Sequence, residues 1–130
     1  MILGIGTDII DIRRIEKTIL KYGDRFKKKC FLKTEIQKSE NRRNIIHSYA
    51  KKFAAKEACA KALGTGLAKG VYWKDIEVSN NNLGKPILTL HNKAAKILNQ
   101  ISSNNTRIEV SLSDEKNYAI SNVIIFNGKK

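Results

Sequence analysis

The feature that most constrains this fold is the alanine-rich stretch from Ala50 to Leu63, with Gly64 directly after it. Alanine is the best helix former, and glycine is the usual residue just past a helix end, so the stretch reads as one long helix opened by Asn44 or Ser48. Its many alanines let a neighbouring strand approach closely. The N-terminal stretch Ile2 to Ile10 is β-branched but contains Gly4 and Gly6, which predicts a strand along which another element packs tightly on the backbone. Asp8 falls near the end of that strand.

The rest of the chain supplies a small set of further elements. Asp11 is a candidate N-cap, and Ile12, Ile15, Ile19 and Leu20 follow helical spacing until Gly23, with Arg13, Arg14, Lys17 and Lys21 on the polar side. Residues 24–44 read as short helical pieces, one capped by Asp24 and one by a capping box of Thr34 and Gln37. Asp75 to Ser79 and Pro86 to His91 predict a hairpin across the turn-rich Asn80 to Lys85. Asn92 to Ser102 has helical spacing, and Arg107 to Ser113 and Tyr118 to Phe126 predict a second strand pair. The order is strand, helices, two strands, helix, two strands: a single α+β domain over residues 1–130, not a regular βαβ alternation. No Walker loop is present, because Gly64-Thr65-Gly66 follows a helix instead of introducing one.

The formal net charge of the chain is +13. Residues 13–61 hold 16 Lys or Arg against 5 Asp or Glu, so +11 of it lies there. A field of that kind favours a polyanionic partner: nucleic acid, an anionic membrane, a phosphorylated ligand or an acidic protein. Cys30 and Cys59 have no metal-ligand spacing and read as reduced, buried thiols. Met1 to Ile5 has no basic leader, and no apolar run is long enough to span a bilayer, so the chain reads as cytoplasmic.

On the long helix, Glu57 shares a side with Phe53, Ala60 and Lys61 at about 100° per residue. Mg²⁺ takes near-octahedral oxygen ligands and commonly only one or two carboxylates, the remainder being waters and substrate phosphates. Asp8 and Glu57 are a candidate pair of that kind. Each also has a plainer reading, Glu57 in an i,i+4 ion pair with Lys61 and Asp8 in a turn at the strand end. Lys61, Gly64, Thr65 and Gly66 put a cation beside unhindered backbone N–H groups, an arrangement that suits phosphate oxygens, or an ordinary glycine-capped helix end.

Taken together and in order, these blocks resemble the holo-acyl-carrier-protein synthases, the small single-domain phosphopantetheinyl transferases. The resemblance runs from Gly4-Ile5-Gly6-Thr7-Asp8-Ile9 with Arg14, through Phe53-Ala54-Ala55-Lys56-Glu57-Ala58 to Lys61, Leu63, Gly64, Thr65 and Gly66. Gly84-Lys85-Pro86, Ser111-Leu112-Ser113-Asp114 and Tyr118-Ala119 complete it. It implies that Asp8 and Glu57 are Mg²⁺ ligands and that Lys61 with the glycine turn binds the phosphates of coenzyme A. By the same resemblance Arg43, Lys52, Lys85 and Pro86 belong to the nucleotide site. Asp114 stands where many members have His. An unperturbed Asp titrates near 3.9 and His near 6.5, so a general-base role does not carry over unchanged, and Asp114 is expected to orient a water or a cation. The resemblance further implies that a serine of an acyl carrier protein attacks the β-phosphorus of coenzyme A, releasing adenosine 3′,5′-bisphosphate, in fatty acid biosynthesis. Carrier proteins are generally acidic, which makes the helix with Arg13, Arg14, Lys17 and Lys21 the expected docking surface. A homotrimer with coenzyme A between subunits is also implied. Two alternatives remain: a small basic nucleic-acid-binding module, which explains the charge but not the motifs, and a scaffold that binds coenzyme A without transfer.

Overall fold

In the computed structural model, which describes residues 1–102 and 105–128, Ile2–Asp11 forms strand β1 and leads directly into helix α1, Ile12–Tyr22. Two short helices follow, α2 (Asp24–Cys30) and α3 (Lys33–Glu40), and then the long helix α4, Ile45–Leu63. A single 3₁₀ turn at Trp73–Asp75 introduces the hairpin β2 (Ile76–Asn80) and β3 (Pro86–Leu90). Helix α5 (Asn92–Ile101) and the strands β4 (Thr106–Asp114) and β5 (Tyr118–Asn127) complete the expected α+β order.

The three long strands form one antiparallel sheet in the order β1-β5-β4, while β2 and β3 pair separately. Helix α4 lies across the inner face of the three-stranded sheet, and the glycines of β1 set how close it comes. A Cβ on Gly4 would sit 2.1 Å from the Ala62 carbonyl oxygen, and one on Gly6 would sit 1.9 Å from that of Ala58. Both distances are inside van der Waals contact, so only glycine fits. On the helix side Ala54, Ala55, Ala58, Ala60 and Ala62 are all buried. Asn44 caps α4 by accepting the His47 N–H, and Gly64 ends it in the left-handed region at φ 85°.

Period-two burial on β5 sends Ala119, Ser121, Val123 and Ile125 into the core. The opposite face of the sheet carries Ile5 and Ile9 from β1, 68% and 63% exposed, opposite Ile124 and Ile120 of β5. Among the described residues, no layer of the chain covers that face.

Three expectations need correction. Leu20 does not join the apolar side of α1 and is 80% exposed. Asp24 is the first residue of α2, not its cap. The start of α3 is organised by Glu35 in place of Thr34 and Gln37: its carboxylate accepts the Leu32 N–H at 2.8 Å and the Val78 N–H at 2.7 Å. Glu35 also takes a 2.7 Å ion pair from Lys56, whose ammonium donates in addition to the carbonyls of Trp73 and Ile76. Both side chains are fully buried, and every contact is a paired hydrogen bond, the condition under which a buried ion pair is tolerated. Helix α3, helix α4 and the hairpin are thus pinned together at one point. Cys30 and Cys59 are buried free thiols, as expected.

Candidate active site

Two clusters of polar side chains stand at opposite ends of α4. The first surrounds Asp8 and Glu57. Asp8 reaches the site because Gly4 and Gly6 hold β1 against the helix, and Lys61, one turn beyond Glu57, donates to the Thr7 carbonyl at 2.9 Å and to Asp8 Oδ1 at 3.2 Å. Lys61 therefore pairs with Asp8 and not with Glu57 as an i,i+4 helix pair. Glu57 is half-buried, and its carboxyl titrates above the ordinary glutamate range, raised first by burial and then by the charge of Asp8, with the Trp73 indole and Lys61 pulling the other way. Two carboxylates within electrostatic reach, one of them poorly solvated, form an acid pair that a cation would relieve.

Among the described residues, no group of three or more His, Cys, Asp or Glu side chains could hold a metal. A pair is what a Mg²⁺ site needs when waters and substrate phosphates supply the other ligands, so Asp8 and Glu57 fit that ion and do not fit a cage built wholly from protein side chains.

The glycine turn is shaped first by the helix end. The Gly64 N–H donates to the Lys61 carbonyl and the Gly66 N–H to that of Ala60, while the Thr65 hydroxyl donates to the Gly66 carbonyl. In this conformation the N–H groups of both glycines serve as a helix cap, which leaves the Lys61 ammonium and the Thr65 N–H as the donors of that turn.

The second cluster lines a cavity of about 670 Å³ between α4, the β2–β3 turn and the end of β4. Its wall includes Arg43, Lys52, Gly84, Pro86 and Asp114, and also Lys38, Arg42, His47 and Lys51, which the sequence reading did not single out. Lys52 is buried, and its ammonium donates to Ser39 Oγ at 2.8 Å and Ser48 Oγ at 2.9 Å, with no carboxylate in direct contact. Burial pushes its pKa down to about 8. Asp114 accepts from His47 Nδ1 at 2.6 Å and lies 3.6 Å from Lys51 Nζ; the His47 hydrogen bond and the charge of Lys51 hold its carboxyl below the usual range against the opposing effect of burial.

Of the residues expected in one site, the chain brings Asp8, Glu57 and Lys61 together at one end and Arg43, Lys52, Pro86 and Asp114 together at the other. Ten residues separate His47 from Glu57 on α4, about 15 Å of helical rise. Asp114 pairs across the sheet with Ala119 and Asp8 with Ser121, two rows apart and on strands separated by β5, about 12 Å at sheet spacings. Lys85 joins neither cluster directly: its ammonium holds both carboxylate oxygens of Glu109 on β4, at 2.7 and 3.0 Å. The basic side chains of α1 are exposed as expected, although Arg13 is clamped by two hydrogen bonds to Asp11 and Lys21 lies over the Tyr22 ring. Arg14 and Lys17 face solvent.

Comparison with known proteins gives this arrangement its place. The family model of the 4′-phosphopantetheinyl transferase superfamily matches residues 4–123. A holo-[acyl-carrier-protein] synthase of Brucella ovis is 50% identical over 127 residues, which cover 96% of this chain and 95% of that one. The crystal structure of the holo-[acyl-carrier-protein] synthase of Neisseria meningitidis superposes with a TM-score of 0.86 at 32% identity, covering 98% of this chain and all of the other. The Helicobacter pylori synthase, solved in complex with coenzyme A, superposes with a TM-score of 0.80 at 31% identity over 94% of this chain and 99% of its own. Motifs, fold and relatives agree, and the reading as a nucleic-acid-binding module gives way: the chain belongs to the 4′-phosphopantetheinyl transferase superfamily, among its holo-[acyl-carrier-protein] synthases.

Proposed function

We propose that this enzyme moves the 4′-phosphopantetheine arm of coenzyme A onto a serine of an acidic acyl carrier protein, with Mg²⁺ held by Asp8 and Glu57, and releases adenosine 3′,5′-bisphosphate. The observation that carries the reading is the joint presence of a strongly cationic cavity and a carboxylate pair at the two ends of one helix. The first suits the phosphates of a nucleotide and the second a divalent ion.

In the reaction a bond forms between the carrier serine oxygen and the β-phosphorus, and the bond from that phosphorus to the bridging oxygen breaks, the electron pair leaving with the bisphosphate. When bound, Mg²⁺ supplies charge neutralisation to the diphosphate. The work of the chain is to position and to balance charge. Lys61, tied to Asp8 and to the Thr7 carbonyl, keeps a cation at the edge of the acid pair, where diphosphate oxygens meet it. The serine proton goes to a bound water, or to Glu57 through one, since Glu57 is the half-buried acid at that end of the site. Arg43 and Lys52 hold the nucleotide in the cavity with Pro86 beside it. Asp114 lies in that cavity and not beside Glu57, so its role is at the nucleotide and not at the proton transfer.

Asp114 and His47 of the cavity lie about 12–15 Å from Asp8 and Glu57 within one chain, judged from helix rise and strand spacing, although Lys52 is only about 7.5 Å of helix rise from Glu57. The homotrimer with coenzyme A between subunits, implied by the family resemblance, resolves this separation by letting one subunit's cavity face another's acid pair. The uncovered row of Ile5, Ile9, Ile120 and Ile124 supports the outer sheet face as the contact surface. Among the described residues no helix is long and apolar enough to cross a membrane. A carrier-protein substrate and two unpaired thiols favour the cytoplasm.

The direct test is to incubate the enzyme with coenzyme A, Mg²⁺ and apo acyl carrier protein and to weigh the carrier. A mass gain equal to one phosphopantetheine arm, abolished by chelator, is expected. Binding of coenzyme A with no gain on any acidic carrier would leave only the scaffold reading.

A further inference from the structure

A buried polar side-chain atom without a hydrogen-bond partner costs stability, so a folded chain keeps few of them and each calls for a reason. Among the described residues two such atoms stand out, Trp73 Nε1 and Ser121 Oγ. They come from separate elements, the 3₁₀ turn before β2 and strand β5, yet both border the acid pair. Ser121 is fully buried and is the direct cross-strand partner of Asp8. Opposed residues of an antiparallel pair project to the same face with Cβ atoms about 4.5–5.5 Å apart, so the hydroxyl stands beside Asp8. Trp73 is held along α4: its ring stacks on Phe53, one turn before Glu57, at 6.1 Å between centroids, and Lys29 lies over it at 5.8 Å. Lys56, next to Glu57 in the chain, donates to the Trp73 carbonyl at 3.0 Å. The indole so placed faces the Glu57 carboxyl closely enough to favour its charged form, short of a closed hydrogen bond.

We propose that Trp73 and Ser121 are the positioning residues of the acid pair: when a divalent ion loads the site, the indole N–H closes onto the Glu57 carboxylate and the Ser121 hydroxyl onto that of Asp8. This rests on the reading that Asp8 and Glu57 hold Mg²⁺. A carboxylate that ligates a metal is commonly oriented by a hydrogen bond from a neighbour, and a buried N–H and a buried hydroxyl supply one each without adding charge. Packing alone asks for neither group. A phenylalanine would keep the stack on Phe53, and an alanine would match Ala119, Val123 and Ile125 on the inner face of β5. The two idle groups disfavour the unloaded enzyme and favour the loaded one, so both add to affinity for the ion.

Trp73 is the single tryptophan of the chain, so its indole gives one N–H signal in a heteronuclear correlation spectrum. The whole enzyme is titrated with Mg²⁺, alone and with coenzyme A present, as wild type, Trp73→Phe and Ser121→Ala. No carrier protein is added, so no transfer occurs. In wild type the indole proton should move downfield and saturate with Mg²⁺, and it should stay fixed in Glu57→Gln. Mg²⁺ affinity by calorimetry should fall about tenfold in Trp73→Phe and severalfold in Ser121→Ala. Metal-free Ser121→Ala, relieved of an unpaired buried hydroxyl, should melt at or above wild type; a clear loss of stability would make that hydroxyl a structural group and overturn its assignment. Unchanged Mg²⁺ affinity in either variant would overturn the assignment of that residue, and an indole signal indifferent to Mg²⁺ would overturn that of Trp73. In those cases wild type still binds the ion and the metal reading stands. Failure of wild type to bind Mg²⁺ in both arms would remove the metal reading and the proposal with it.

Discussion

Glu57 carries a charge that its surroundings disfavour, since burial and Asp8 both act against ionisation. Removing that charge should therefore leave the fold intact while disabling the site. For Glu57→Gln we expect circular dichroism and melting temperature at or slightly above wild type, with Mg²⁺-dependent transfer to the carrier down at least about a hundredfold. Wild-type activity in that variant would show that a different ligand holds the ion. Lys52 gives a pH signature in the free enzyme. Its pKa is about 8 when folded and near 10.5 in an unfolded chain, so between those values the unfolded state binds more protons and stability rises with pH. The penalty for the buried ammonium is complete below about pH 8 and is relieved on the way to about 10.5, by roughly 3 kcal/mol at most. The difference in melting temperature between wild type and Lys52→Met should shrink and then reverse in favour of wild type over that window. A difference independent of pH would mean the ammonium is not desolvated. That Asp8, Glu57 and Lys61 lie together could be expected from sequence because Asp8 sits in one short block and Glu57 and Lys61 in another. The pairing of His47 could not: it depends on Asp114, 67 residues away, and no periodicity connects them.

At the scale of elements, the seat of α4 on β1 decides whether the acid pair exists at all. A methyl on Gly6 meets backbone, not a side chain that can swing aside, so α4 has to move. Gly6→Ala should cost about 2–4 kcal/mol in urea unfolding and lower transfer more than carrier binding, because Asp8 and Lys61 lose register. The Glu35–Lys56 pin makes a different demand. Glu35→Gln leaves a fully buried ammonium without its carboxylate, at a cost of about 3–5 kcal/mol, whereas Glu35→Gln with Lys56→Met should recover a good part of the loss. Additive losses in the double variant would mean the two side chains do not act as a pair. The long helix, the glycine strand and the hairpin were legible because alanine spacing, alternation and turn residues are local signals. The start of α3 differs from its expected place by two residues for the opposite reason: Thr34 and Gln37 satisfy a local pattern, but Glu35 wins by bonding to Val78, 43 residues away. The pairing of β1 with β5 is equally nonlocal.

For the whole molecule, charge and symmetry carry the argument. If the exposed cations of α1 dock an acidic carrier, as proposed, Arg14→Glu should raise the KM for carrier protein far more than that for coenzyme A, with kcat little changed; equal effects on both would remove α1 from the docking surface. Assembly follows from the uncovered isoleucines. A Glu at position 5 would put charge into the proposed subunit contact, and Ile5→Glu should sediment as a folded monomer with little transfer activity, while an unchanged assembly would exonerate that face. The stronger test asks whether a site draws on two subunits. Glu57→Gln damages the acid pair and Arg43→Glu the cavity, and each alone should be inactive. If every site takes its acids from one subunit and its cavity from the next, random mixed trimers contain intact sites wherever an Arg43→Glu subunit lends its acids to a Glu57→Gln neighbour. Half of the subunits supply intact acids and half an intact cavity, so co-refolding equal amounts should restore about a quarter of wild-type activity. If both halves of the site came from one chain, no mixture could contain an intact one, and the refolded pool would stay as inactive as its parents.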